Sequence, residues 1–331
     1  MKSKNIIRIT AYSVIGFSMV FGISSTLRVN AAPYSIEKLP DTTVYGDFVV
    51  GPGKYQLDMK PGETSVVNVV VSNRLGKEKI FSIQVEDFKG SRDLERPVML
   101  VGSERGPYSL KDYLKFASST FTLNNAERVT IPVKISIPTD AQPGGLYGSI
   151  VIGTVTTPEE QVPVGTDSVG VNPIVTRIGS LFFIRVAGDV KQDITLKKFS
   201  LKNDRSILGG DPISFEILYE NNGTVHENPY GYIYIKNFFG SEIKKIEVEP
   251  WFILPDSLRV REVVWEAPFL FGRYTATAEI KNGYSSELDT ASVAFWIIPW
   301  KIVAIVFAVV VVSVGIIRFI LSKVHISFKK K

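Results

Sequence analysis

Arg128-Val129-Thr130-Ile131-Pro132-Val133-Lys134-Ile135-Ser136-Ile137 alternates without a break. Val129, Ile131, Val133, Ile135 and Ile137 share one face, and the polar residues and Pro132 share the other. A period of two places one face of a strand in a core and the other in water. Pro132 has no amide to give to a ladder, which predicts a sheet-edge position for this strand. Upstream, Phe81, Ile83 and Val85 alternate with Ser82, Gln84 and Glu86. Lys60-Pro61-Gly62-Glu63 predicts a tight turn between residues 55–59 and the valine-rich residues 64–72. Downstream, Pro143-Gly144-Gly145 feeds a strand over residues 146–154, where Gly148 and Gly153 permit close backbone approach or a bulge. A short helix is expected only near residues 109–116. Strands at this spacing with scarcely any helix predict an all-β chain of immunoglobulin-like antiparallel sandwiches, not an α/β enzyme fold.

A second unit follows. The strand pattern of residues 174–186 ends at Ala187-Gly188-Asp189, and alternation restarts near Ile194. Ile213, Phe215, Ile217 and Tyr219 share a face opposite Ser214, Glu216 and Glu220. Tyr274, Ala276, Ala278 and Ile280 are expected to point inward from another strand. Asn221-Asn222-Gly223 and Asn282-Gly283 carry hairpin signals. No sequence repeat relates the two units. Residues 89–107 and 156–173 resist strand assignment; Gly, Pro and polar side chains there read as mobile surface or as functional loops.

Both ends of the chain carry topology signals. Lys2, Lys4 and Arg8 precede an apolar run over residues 9–27, and Val29-Asn30-Ala31 favours cleavage between Ala31 and Ala32, the layout of a secretory signal. An uncleaved N-terminal anchor is the alternative. At the other end, Trp296 and Trp300 lead into about 20 mostly apolar residues, enough for a bilayer core of roughly 30 Å. Trp296, Trp300, Lys301, Arg318 and Lys323 are the expected membrane-interface anchors, with the basic C-terminus on the cytoplasmic side. The expected organisation is a signal peptide (1–31), a first sandwich domain (32–188), a second (189–295), a transmembrane helix with its aromatic belt (296–321) and a basic cytoplasmic tail (322–331). The protein is therefore expected in the cell membrane as a single-pass protein, its sandwiches outside the cytoplasm.

This organisation reinterprets the charge. The 331-residue chain carries a net +5, but residues 1–31 hold four Lys/Arg and no acid, and residues 302–331 hold five and no acid. Residues 32–301 are left at −4, which removes the electrostatic case for a nucleic-acid partner. With no cysteine, thiol chemistry and disulfides are absent.

Catalytic patterns are scarce. Of two histidines, His325 lies in the tail, and His226 follows Asn221-Asn222-Gly223-Thr224-Val225 and is expected to face solvent. No motif supplies His226 with the partners of a nucleophilic triad. Zinc sites rich in His and Cys are excluded, which leaves oxygen-ligated calcium as the metal option. Asp87, Asp93, Glu95 and Glu104 are interspersed with Arg92, Arg96 and Arg105, the mixture of a solvated loop. Nothing singles out the carboxylate pair that glycoside hydrolysis needs. Pro143-Gly144-Gly145 is not followed by Lys-Ser/Thr and a helix, so it is no phosphate loop. No catalytic residue, metal site or cofactor is expected. Asn222-Gly223-Thr224 matches a glycosylation acceptor, of consequence only in a eukaryotic secretory route.

Tyr230, Tyr232 and Tyr234 share one sheet face at strand spacing. They form either an exposed platform for sugar rings or a protein, or an inner core face with hydroxyls at its edge.

A resemblance joins several of these segments. Gly51-Pro52-Gly53-Lys54-Tyr55-Gln56-Leu57-Asp58-Met59-Lys60-Pro61-Gly62-Glu63, Val69-Val70-Val71-Ser72-Asn73, Val85-Glu86-Asp87-Phe88, Ile131-Pro132-Val133 and Pro143-Gly144-Gly145-Leu146-Tyr147-Gly148 resemble the bacterial WxL-interacting-protein-like surface family. Ile253-Leu254-Pro255-Asp256-Ser257 and Gly272-Arg273-Tyr274-Thr275 resemble that family's second, host-binding domain. The resemblance implies a peptidoglycan-binding first domain, a second domain and a C-terminal anchor. The matched positions are mostly turns and core and carry over no binding residues. The reading is a non-catalytic, membrane-anchored envelope protein that binds cell-wall polymer or another envelope protein. The alternative is a tethered chaperone or assembly factor acting through strand-edge pairing. A tethered glycan hydrolase comes last.

Overall fold

The computed structural model describes residues 34–40, 43–102, 104–155, 176–202, 207–208, 212–266, 270–285 and 287–323. The signal segment with Ala31 and Ala32, the whole of the loop over residues 156–173, and residues 324–331 of the basic tail lie outside these residues.

The first sandwich is built from β1 (Ser35–Lys38), β2 (Asp47–Gly51), β3 (Lys54–Met59), β4 (Thr64–Arg74), β5 (Lys79–Gly90), β6 (Val98–Leu100), β7 (Leu114–Lys115), β8 (Thr120–Leu123), β9 (Glu127–Ser136), β10 (Gly144–Thr154) and β11 (Arg177–Val186). One sheet runs β1-β9-β4-β2 with β7 also on β9; the other runs β3-β11-β10-β5-β6 with β8 also on β5. The inward residues of β9 (Val129, Ile131, Val133, Ile135) meet Val69 and Val71 of β4 and Phe81, Ile150, Ile152, Phe182 and Ile184 of the opposite sheet in one core. Phe81 stacks on Phe121 at 5.4 Å and meets Phe48 edge-on at 5.2 Å. These are the offset and edge geometries that aromatic quadrupoles favour.

The second sandwich comprises β12 (Ile194–Leu201), β13 (Ile207–Leu208), β14 (Ile213–Asn221), β15 (Tyr230–Asn237), β16 (Glu242–Val248), β17 (Ser257–Trp265), β18 (Gly272–Lys281) and β19 (Leu288–Ile297). Its sheets run β12-β14-β17 and β13-β19-β18-β15-β16. Ile213, Phe215, Ile217 and Tyr219 pack against Ile233, Ile235, Tyr274, Ala276, Ala278 and Ile280, as the alternation predicted. One helix, α1 (Trp300–Lys323), follows; its residues 300–322 are long and apolar enough to cross a membrane. The chain is thus all-β, two tandem immunoglobulin-like sandwiches followed by one such helix.

Several local expectations are corrected. β9 is not an edge strand: β4 pairs with it on one side, β1 and β7 on the other. Pro132 is accommodated because it falls between Thr130, the last residue paired with β1 in this direction, and Lys134, paired with β7. Asn221-Asn222-Gly223 is not a hairpin, since β14 and β15 belong to different sheets. Asn282-Gly283 does sit in a hairpin, between the paired strands β18 and β19. The helical piece shrinks to one 3-10 turn, Lys111–Tyr113. Within residues 89–107, Lys89 and Gly90 end β5, and Val98–Leu100 form the short strand β6.

The repeat that the sequence hides is topological. In each sandwich two consecutive early strands divide between the sheets, and the second of them lies parallel to the last strand: β2 then β3 on β11, and β12 then β13 on β19. Each also closes the long strand that follows, β4 or β14, with a buried asparagine in the same arrangement. Asn73 Oδ1 accepts from Leu75 N (2.9 Å), and Nδ2 donates to the carbonyls of Lys77 (2.9 Å) and Leu123 (2.8 Å). Asn221 Oδ1 accepts from Gly223 N (2.8 Å), and Nδ2 donates to the carbonyls of Val225 (2.8 Å) and Ile253 (2.9 Å). One amide side chain satisfies three backbone groups where a strand leaves its sheet.

Candidate functional site

β19 has two unequal sides. Toward β18 it pairs at every position, from Gly272↔Ile297 to Lys281↔Leu288. On the other side β13 pairs only with Trp296 and Ile297. From Leu288 to Phe295, therefore, this side has no ladder partner among the described residues. A row of unpaired amides and carbonyls is a template for another strand.

The local sequence keeps this edge available. Asp289 is the single charge in Leu288-Asp289-Thr290-Ala291-Ser292-Val293-Ala294-Phe295-Trp296-Ile297. The edge strand β16 carries Glu242, Lys244, Lys245 and Glu247, and the edge strand β17 carries Arg259, Arg261 and Glu262. Charges of that kind discourage pairing. The inward residues Ala291 and Val293 are only half-buried, as is Leu196 of β12, so the core shows through at this side of the sandwich. Between the β12 and β19 edges runs a groove of about 250 Å³, lined by Thr195–Phe199 and Asp289–Ala291. A register shift between Leu196 and Lys198 bends β12 here. Lys197 pairs with Glu220 at 2.6 Å, and the Tyr219 hydroxyl donates to Asp289 at 2.7 Å. Burial, then the Asp289 carboxylate, hold the Tyr219 phenol protonated far above its ordinary range.

The three tyrosines of β15 stand on the outer face of the same sheet. Tyr230 and Tyr232 are exposed and Tyr234 is half-buried, while Ile233 and Ile235 fill the core. Lys245 Nζ lies 3.8 Å from the Tyr232 ring centre and 5.2 Å from that of Tyr234, and Lys281 Nζ lies 6.0 Å from that of Tyr230. The face is thus aromatic with cations already over its rings.

His226 is not solvent-facing; it is buried between the sandwiches. Its amide donates to the Tyr147 hydroxyl at 2.7 Å, its Nδ1 lies 3.3 Å from the same oxygen, and Phe183 meets its ring edge-on. Burial first, then Arg185 and Lys54, pull its pKa down to about 4. Neighbouring Glu227 is buried with Oε1 unpartnered among the described residues, and burial, opposed by Arg185 and Gln192, pushes its pKa up to about 7. Phe88, Tyr147, Phe183 and Leu254 form an apolar cluster around this junction. Tyr147, His226 and Glu227 are each 4 % exposed or less, so none presents a surface to a substrate. Nothing in the sequence order marks this cluster, because its members come from strands and loops of both units.

The acidic loop residues separate. Asp87 is buried and accepts from Ser109 Oγ and from the amides of Leu110 and Lys111, tying the 3-10 turn to β5. Arg92 pairs with the buried Glu220, and Arg105 with Asp112. Among the described residues, no three His, Asp or Glu side chains converge to hold a metal ion. Trp296 lies exposed on the last part of β19; Trp300 and Lys301 begin α1, exposed Arg318 lies in its last turns, and Lys323 ends it.

No protein-family model matches the chain. No curated protein matches it. Among solved structures it is similar to a chaperone–tip adhesin complex of CFA/I fimbriae, at 12% identity over 75% of this chain and 98% of that one, TM-score 0.37. It is also similar to the class 5 fimbrial chaperone CfaA, at 12% identity over 76% and 100%, TM-score 0.36, and to the E. coli chaperone DraB, at 13% identity over 74% and 97%, TM-score 0.33. Likeness at this level assigns neither family nor activity to the chain.

Proposed function

We propose that this chain is a non-catalytic, single-pass envelope protein whose two sandwich domains, residues 32–188 and 189–295, stand outside the cytoplasm. In this reading the second sandwich binds another protein by accepting an extended segment along β19. The observation that carries it is the nearly uncharged edge from Leu288 to Phe295, which has no ladder partner among the described residues and lies beside a half-open core. An added strand would take up the free backbone groups, and its alternate side chains would fill the groove over Leu196, Ala291 and Val293. This favours the assembly-factor form of the function over a wall-binding one. The membrane part of the reading rests on α1, with the basic residues from Lys323 onward inside.

The test is site-specific photo-crosslinking in cells carrying the full chain. A crosslinker at Ser292 should yield a protein adduct that a crosslinker at Lys244 on β16 does not. Ala291→Lys, which points a charge into the groove, should abolish it. Cell-wall polymer on the face of Tyr230, Tyr232 and Tyr234 is the second reading, favoured by the exposed rings and by the resemblance to WxL-interacting proteins. Retention on purified peptidoglycan that is lost in Tyr232→Ala, with no Ser292 adduct, would replace the first reading by the second.

A further inference from the structure

The strand register of the second sandwich gathers apolar side chains at the end from which α1 departs. β15 ends at Asn237, opposite Tyr274 of β18, which lies opposite Phe295 of β19. The turn Phe238-Phe239-Gly240-Ser241 therefore lies beyond the level of Phe295, on the side where Ile297 hands over to Trp300. Phe271, just before β18, lies at the same end. Phe238 is 72% exposed, Phe239 86% and Phe271 65%, and Trp296 and Trp300 are 46% and 61% exposed. Strand spacing puts the turn about 10–14 Å to the side of β19.

Single exposed apolar residues are ordinary on protein surfaces. Two adjacent phenylalanines at the tip of a built turn are a different case. Asn237 Oδ1 accepts from the amides of Phe239 and Ser241, both at 3.0 Å, and Asn237 N donates to the Ser241 carbonyl at 3.0 Å. Gly240, at φ +84°, closes the turn. The rings meet edge-on at 5.6 Å. The turn thus holds the pair outward, so displaying it costs no further ordering. Exposed Lys236, Arg273 and Lys301 flank the same end, where lipid phosphates would meet them.

We infer that Phe238 and Phe239, together with Phe271, insert into the interfacial layer of the bilayer that α1 crosses. The second sandwich is then held by lipid contact as well as by its covalent link. The partner is a phospholipid surface, and continuity with the Trp296–Trp300 belt identifies it: only Ile298 and Pro299 separate β19 from α1. The inference rests on the reading of α1 as a membrane span.

The test uses the full chain in vesicles of phosphatidylcholine and phosphatidylglycerol. The chain has no cysteine, so Ser241→Cys and Val310→Cys each take one nitroxide label. Relaxation is compared between oxygen, which concentrates in lipid, and a water-soluble nickel chelate. The expected result is a Ser241→Cys label relaxed more by oxygen than by nickel, with that preference lost in Phe238→Ser/Phe239→Ser. The Val310→Cys label should stay in lipid throughout. A Ser241→Cys label that reports water with both phenylalanines present, while Val310→Cys reports lipid, overturns the inference and leaves the anchor standing. A Val310→Cys label in water overturns both. Shielding of Ser241→Cys from both relaxants signals a protein or a second copy over the turn, and overturns the lipid assignment.

Discussion

The phenolic oxygen of Tyr147 accepts a hydrogen bond of 2.7 Å from the backbone amide of His226. A side chain of β10 in the first sandwich thereby completes the backbone of a loop in the second. Removing that oxygen leaves a buried amide unpaired, at a cost of about 1–3 kcal/mol. Tyr147→Phe is therefore expected to lower the urea midpoint and to abolish hydrogen-exchange protection at the His226 amide. Protection in the strand β18 should persist until global unfolding.

The same junction carries two titrations of opposite sign. Burial raises the Glu227 carboxyl from 4.5 to about 7, so the folded chain holds the proton more tightly, and this stabilising contribution is lost as pH rises through that interval. Burial lowers His226 from 6.5 to about 4, so its contribution is present above the upper value and is lost as pH falls through the interval. In the overlap from 4.5 to 6.5 the two oppose each other. Glu227→Gln should expose a stability that rises with pH between about 4 and 6.5, and His226→Gln one that falls between about 4.5 and 7. Thermal unfolding across that range reads both slopes; parallel profiles for the two variants would contradict the assignment.

Asn73 and Asn221 each close a strand end by satisfying three backbone groups. Substitution by alanine orphans all three, so Asn73→Ala and Asn221→Ala are each expected to cost about 2–4 kcal/mol in chemical denaturation. Asparagine to aspartate should be no milder, because the carboxylate keeps the acceptor and loses both donors.

What the sequence discloses here is the two faces of each strand, and what it withholds is the strand's neighbours. Val129, Ile131, Val133 and Ile135 read correctly as a core face, yet β9 proved central where Pro132 suggested an edge. The gap between β1 and β7 that shelters this proline is a long-range arrangement with no local signature. Asn221-Asn222-Gly223 looks like hairpin chemistry because asparagine and glycine suit many turns; Asn221 instead ties β14 to Ile253, far along the chain. His226 reads as solvent-facing for the same reason. Its burial depends on Tyr147 and Phe183, residues of another sandwich. The open side of β19 has no reading in the sequence: residues 288–297 are visibly poor in charge, but only the strand pairing of the folded sheet distinguishes one side from the other.

Gly90 sits where the two sandwiches pack tightly together. A Cβ there would sit 2.5 Å from Ser257 Cβ and 2.9 Å from Leu254 Cβ. Gly90→Val should therefore part the junction near the bond from Leu258 N to the Ser91 carbonyl. Tyr108 supplies the readout. Its phenol, pushed up to about 12 by burial and by Asp256, should titrate closer to its ordinary value of 10.0 in the variant. Ultraviolet difference titration at alkaline pH measures this shift, and an unchanged Tyr108 would show that the interface absorbs the added bulk.

The ten-residue ladder between β18 and β19 lies directly upstream of α1, with two residues between them. A load drawn from the membrane through the C-terminal end of β19 would act along the strand axis. All rungs of that ladder would then be strained together, as in a lap joint under shear, instead of peeling one at a time.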